Sequence, residues 1–182
     1  MRRMHRSMPI ALQDGAAVTA PLSADFLFRQ YARYVAHIAL RIVGRDADVD
    51  EIVQDVFLAA MSGLADLREP EAVRGWLATI TVRKAQRRLR YNRLQSWLGL
   101  EDEPDYEGAV APNASPEDQA VVRSVYRALD SVPVNDRVAW TLRYMQDERL
   151  ESVAALIGCS LATAKRRIAA AQLKLDEVLK DD

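Results

Sequence analysis

Three groups of residues in this chain have the charge and spacing to act on a partner. Arg83, Lys84, Arg87, Arg88 and Arg90, with Arg93 beyond them, stand in a stretch with no acid between Glu71 and Glu101. Lys165, Arg166 and Arg167 follow the turn Gly158-Cys159-Ser160, with Thr163 just ahead of them. Cationic runs of this kind neutralise phosphates and release counterions, which gives affinity for nucleic acid without sequence information. Sequence must be read by groups that reach base edges, and Thr163, Arg166 and Arg167 have the right chemistry. The third group is acidic: Asp48, Glu51, Gln54 and Asp55 fall on one helical face, flanked by Asp46 and Asp50. Such a face suits a basic partner, although acids in a first helical turn also suit the helix dipole.

Catalytic chemistry finds no comparable set. His5 and His37 are the only histidines, and neither has a second ligand at metal spacing. Cys159 sits where a small residue is needed between two helices, and there is no phosphate-cradling glycine loop. No catalytic residue, metal ligand or cofactor is therefore expected. A single cysteine excludes an intramolecular disulfide and fits a reducing cytoplasm. No long uncharged apolar run is present, so no membrane span is expected. The net charge of −1 hides alternating acidic and basic blocks, which suggests two kinds of partner surface.

The elements that must position these groups are helices. Leu27, Tyr31, Tyr34, Ile38 and Ile42 recur at helical spacing, opened by Ser23 or Asp25 and closed by Gly44. Asp46 or Asp48 should cap the next helix, with Val49, Ile52, Val53, Val56, Phe57 and Ala60 inward. Pro70 or Glu71 begins a third, in which Val73, Trp76, Leu77, Ile80, Ala85 and Leu89 face the core and the outer side is basic. Residues 95–114 hold Gly99, Pro104, Gly108, Pro112 and many acids, which reads as a linker whose Trp97, Leu98 and Leu100 could dock onto a neighbour. Ser115-Pro116-Glu117-Asp118 is a helix start, and Asn135 should cap a further helix. Leu150 to Leu175 then reads as a helix-turn-helix: Gly158 takes the left-handed turn, Ser160 caps the second helix, and Leu161, Ala164, Ile168, Ala171 and Leu175 point inward. The expected fold is all-α: two small helical domains on a flexible acidic linker, the second a four-helix unit with a helix-turn-helix. The boundaries are a loose tail over 1–22, a first domain over 23–94, the linker over 95–114 and the second domain over 115–182.

In this order the segments resemble the extracytoplasmic-function (ECF) sigma factors of bacterial RNA polymerase. DADVDEIVQDVFLAAM is similar to that family's polymerase-clamp helix, RGWLATITVRKAQRRLR to its promoter-melting segment, and LDSVP with LESVAALIGCSLATAKRR to its upstream-element reader. The resemblance implies that Asp48, Glu51, Gln54 and Asp55 meet the β′ clamp of core RNA polymerase. It also implies that Arg83, Lys84, Arg87, Arg88 and Arg90 hold the start-proximal promoter DNA, and that Thr163, Lys165, Arg166 and Arg167 hold the upstream element. An anti-sigma factor covering these faces is implied in the same way. The chain departs from the family at Val82 and Arg83, where an Arg-Asn pair is frequent, and at Ala169, Ala170 and Gln172, where arginines are usual. The rival expectation is a stand-alone helix-turn-helix regulator, which would have no use for the acidic face.

Overall fold

The computed structural model describes residues 23–64, 72–100, 104–111 and 113–181. The N-terminal tail, the loop before the third helix and Glu101, Asp102 and Glu103 lie outside them. Among the described residues the chain forms α1 (Ala24–Val43), α2 (Asp46–Gly63), α3 (Val73–Trp97), α4 (Pro116–Asp130), α5 (Val134–Tyr144), α6 (Leu150–Ile157) and α7 (Leu161–Asp181), with a 3₁₀ turn at Glu107–Ala109 and no strand. The all-α expectation holds.

The caps show why the helices begin and end where they do. Ser23 accepts from the Phe26 N–H at 3.1 Å, and Ser115 accepts from the Asp118 N–H at 3.1 Å. Gly44 ends α1 at φ +80, where a Cβ would overlap the Tyr126 ring. Two expected caps are displaced. Asp46 is the first residue of α2, after Arg45 with no side-chain cap, and Asn135 lies inside α5, which starts after Pro133. Proline's fixed φ sets up that first turn without a side-chain bond.

Helices α1, α2 and α3 pack together, and α3 also lies against α5 and α6. One apolar core therefore runs from Leu27, Ile38, Val56 and Leu77 across to Val138, Leu142, Val153 and Ile168. A second cluster of Tyr106, Tyr126, Leu129, Val132, Ala171 and Leu175 lies beneath α4. Burying each leucine-sized side chain contributes roughly 1.5–3 kcal/mol, so a core shared by both helical units holds them together strongly.

The junction is sealed by polar groups as well. Arg137 of α5 is only 3% exposed. Its guanidinium donates to the Ile42 carbonyl at 3.3 Å and the Val43 carbonyl at 2.8 Å, and to Asp130 at 2.6 Å. The last carbonyls of a helix lack intrahelical donors, and here a planar fork from another helix supplies them. Tyr126 adds a bond from its hydroxyl to the Arg41 carbonyl at 3.0 Å.

The linker differs from expectation in two ways. Gln95, Ser96 and Trp97 continue α3, so helical periodicity outlasts the apolar stripe. The described part beyond it is packed: Tyr106 is buried, stacks on Tyr126 at 5.3 Å and donates its hydroxyl to Asp130. Trp97, Leu98 and Leu100 remain 81%, 50% and 70% exposed, so the docking role expected of them belongs to Tyr106 instead.

Candidate nucleic-acid interface

The acidic and basic groups expected on separate surfaces meet along one seam. On α2, Asp48, Glu51 and Asp55 are spaced three and four residues apart; on α3, Lys84, Arg88 and Asn92 are spaced by four. Each trio falls on one stripe of its helix, and the two helices run antiparallel, so the stripes pair in reverse order. Lys84 Nζ lies 3.0 Å from Asp55 Oδ2, Arg88 pairs with Glu51 and reaches to 3.8 Å from Asp48, and Asn92 donates to Asp48 at 2.6 Å. Glu51, Asp55, Lys84 and Arg88, with Ile52, Arg87 and Tyr91, line a groove of about 520 Å³.

The pairs are unequal. Asp48 is 9% exposed, and its carboxylate is consumed inside the protein by Asn92 and Arg88. A hydrogen bond to a buried charge stabilises by about 1.5–3 kcal/mol. The Lys84–Asp55 pair is closer to solvent, where such pairs contribute under about 1 kcal/mol. Glu51 and Gln54 are exposed and Asp55 is half-buried, so these three present the acidic face to solvent. On α3, Arg83, Arg87 and Arg90 are exposed, and Arg90 also donates to Asn135 of α5 at 3.1 Å. Val82 is fully buried and Trp76 packs against the core.

The second basic group sits on a well-formed turn. Gly158 is left-handed at φ +66, and Ser160 accepts from the Thr163 N–H at 3.2 Å. Thr163 is half-buried, with its hydroxyl 2.9 Å from that of Ser160, so it helps cap the helix. Lys165 and Arg166 project into solvent, while Arg167 is half-buried with Nε 3.9 Å from Asp136. Leu161, expected inside, is 37% exposed, whereas Ala164, Ile168, Ala171 and Leu175 are buried. Gln172 accepts from the Trp140 indole at 2.8 Å and so ties α7 to α5.

Known proteins resemble this chain in sequence and in fold. Residues 27–95 match the Sigma-70 region 2 family. The ECF RNA polymerase sigma factor SigM of Mycobacterium tuberculosis is 31% identical over 155 residues, covering 85% of this chain and 76% of that protein. The chain belongs to the ECF sigma factors. These are the subunits that bind core RNA polymerase and direct it to promoters. The probable sigma factor RfaY of Xanthomonas campestris is also 31% identical, and this chain spans 36% of its length. In fold, this sigma factor is similar to RpoE of Bartonella quintana, solved in complex with the anti-sigma factor NepR. The TM-score is 0.62 at 24% identity, covering 88% of this chain and 99% of that one.

Several residues of this sigma factor that hold the site in place carry no obvious sequence signal. Asn92 stands between Tyr91 and Arg93 in a cationic stretch, and Tyr106 stands among the acids of residues 95–114. Arg137 was detectable in principle, because it stands among Val134, Val138 and Thr141 on a stripe that is otherwise apolar or small. The junction also perturbs titration. Burial, and then the Asp130 carboxylate, push the Tyr106 phenol well above its ordinary value, and burial raises Tyr126 against the opposing charge of Arg137. Desolvation, then Arg41, lower the pKa of His37. Among the described residues no group of three His, Cys, Asp or Glu side chains could hold a metal ion, and no helix is long and apolar enough to cross a membrane.

Proposed function

We propose that this sigma factor grips core RNA polymerase through Glu51, Gln54 and Asp55 on α2 and holds promoter DNA through α3 and α7. Asp48 has a positioning role in that scheme: bonded to Asn92 and Arg88, it fixes the register of α2 against α3. Arg83, Arg87 and Arg90 contact phosphates of the start-proximal element. Lys84 and Arg88 join them when the polymerase clamp takes over their carboxylate partners. On α7, Lys165 and Arg166 enter the major groove, Thr163 shapes the helix entry, and Arg167 contributes once released from Asp136. Its place of action is the cytoplasm, and an inhibitory protein of the anti-sigma kind would cover these same faces.

The observation that carries this reading is the α2–α3 seam, where acids for a protein partner alternate with cations for nucleic acid on one exposed groove. Promoter mapping with reconstituted holoenzyme tests the upstream assignment. Arg166→Ala should reduce discrimination at one upstream base pair by about 1–3 kcal/mol if the guanidinium reads that base. An equal loss on all promoters would instead mark a phosphate contact.

A further inference from the structure

A cavity of about 100 Å³ lies where the two helical units meet. Three arginines line it: Arg45 at the α1–α2 turn, Arg93 on α3 and Arg137 on α5. Asn92 and Ser96 add polar groups, and most of the remaining wall is apolar. Asp130 is the only carboxylate on that wall among the described residues, and Arg137 and Tyr106 already engage it. Arg93 is exposed and has no acidic partner among the described residues. Of the five N–H groups on a guanidinium, those of Arg137 that are bonded go to Ile42, Val43 and Asp130. The rest have no acceptor among the described residues, on a side chain only 3% exposed.

We infer that this cavity binds a phosphate-sized oxyanion, either inorganic phosphate or the phosphate end of a nucleotide. Guanidinium groups match phosphate oxygens in geometry as well as charge. The backbone adds to their field. Helix α2 begins after Arg45 and α5 begins at Val134; both residues line the cavity, and neither helix start has a side-chain cap. The first N–H groups of a helix lack intrahelical acceptors and carry its positive end, which favours an anion. The opposing negative end of α1 is neutralised within the protein. Its Leu40 carbonyl accepts from the Gly44 N–H, Arg41 from the Tyr126 hydroxyl, and Ile42 and Val43 from Arg137. An anion in the cavity bridges Arg45 and Arg93 of the first unit to Arg137 of the second, so its binding holds the junction closed. None of these three arginines belongs to the polymerase or promoter contacts proposed above, and the site stands independently of them.

The test is isothermal titration of the full chain with sodium phosphate and, in a second arm, with adenosine monophosphate, at constant ionic strength. Arg93→Ala should weaken binding about tenfold, the loss expected of one charge-assisted hydrogen bond. Arg127→Ala, which removes an exposed cation of α4 outside the cavity, should leave it within about twofold. Because the anion binds the folded chain, phosphate at about a hundredfold excess over Kd should raise Tm by roughly 5–10 °C. The rise should largely vanish in Arg93→Ala, whose Tm without phosphate should match that of the unsubstituted chain. Tighter binding of inorganic phosphate identifies an enclosed ion, and equal or tighter binding of the nucleotide identifies a phosphate end whose nucleoside stays in solvent; either supports the site. No binding of either probe overturns it. So does an equal loss of affinity in Arg93→Ala and Arg127→Ala, or a rise in Tm of the same size in all three proteins, since both mark unspecific anion effects.

Discussion

Replacing Arg137 with alanine should loosen the join between the two helical units more than any single surface change. The guanidinium makes three bonds, at 2.6, 2.8 and 3.3 Å, and is 3% exposed. Without it the Ile42 and Val43 carbonyls lose their donors, at about 1–3 kcal/mol for each acceptor that stays buried. Asp130 is 37% exposed, so water recovers part of its lost pairing. Removing one partner of a buried charged pair typically costs about 3–5 kcal/mol, and we expect a loss in that range. For a chain of this size that corresponds to a fall in Tm of roughly 10 °C. Equilibrium urea denaturation followed by far-UV circular dichroism reads the change directly. Arg137→Lys keeps the charge but not the planar fork, and should recover roughly half of the loss. A destabilisation under about 1 kcal/mol for the alanine variant would refute the argument that these carbonyls depend on the guanidinium.

Two further outcomes follow from the same geometry. Tyr106 has a folded pKa raised above its ordinary value of 10.0, so its contribution to stability is fully present below pH 10 and lost as pH rises beyond it. Thermal melts between about pH 9 and pH 11 should show that decline, and Tyr106→Phe should flatten it; an equally steep decline in the variant would contradict the assignment. Asp48→Ala should cost about 1–3 kcal/mol in urea denaturation with little change in polymerase affinity, because Asn92 and Arg88 lose their partner. Glu51→Ala, at an exposed side chain, should do the reverse, and the opposite pattern would exchange the two roles.

Much of this architecture is legible in local chemistry. Gly44, Gly158, Ser23, Ser115 and Ser160 each mark a helix end through a backbone requirement that few other residues meet, and each stands where expected. The apolar stripes of α1, α2 and the first half of α3 were visible in the same way. What the sequence could not show was pairing between distant stripes. That Asp48 meets Asn92, 44 positions away, depends on how α2 and α3 align in antiparallel packing. Burial reverses surface logic there, since an acid that looks like a recognition group becomes a structural one. The same applies to Tyr106, whose acidic neighbours signalled a solvated tether while its own ring found Tyr126. Arg167 looked free on a helical wheel, but α5 brings Asp136 beside it.

The most direct test of the central claim is binding to core RNA polymerase by the unsubstituted chain and by the Glu51→Lys, Asp55→Lys double variant, with circular dichroism confirming that both are folded. The unsubstituted chain should bind and support promoter-dependent transcription. The variant should lose about tenfold or more in affinity, because reversed charges meet a basic clamp. Equal binding by the two, or no binding by the unsubstituted chain, would contradict the assignment of α2 as the polymerase-gripping face.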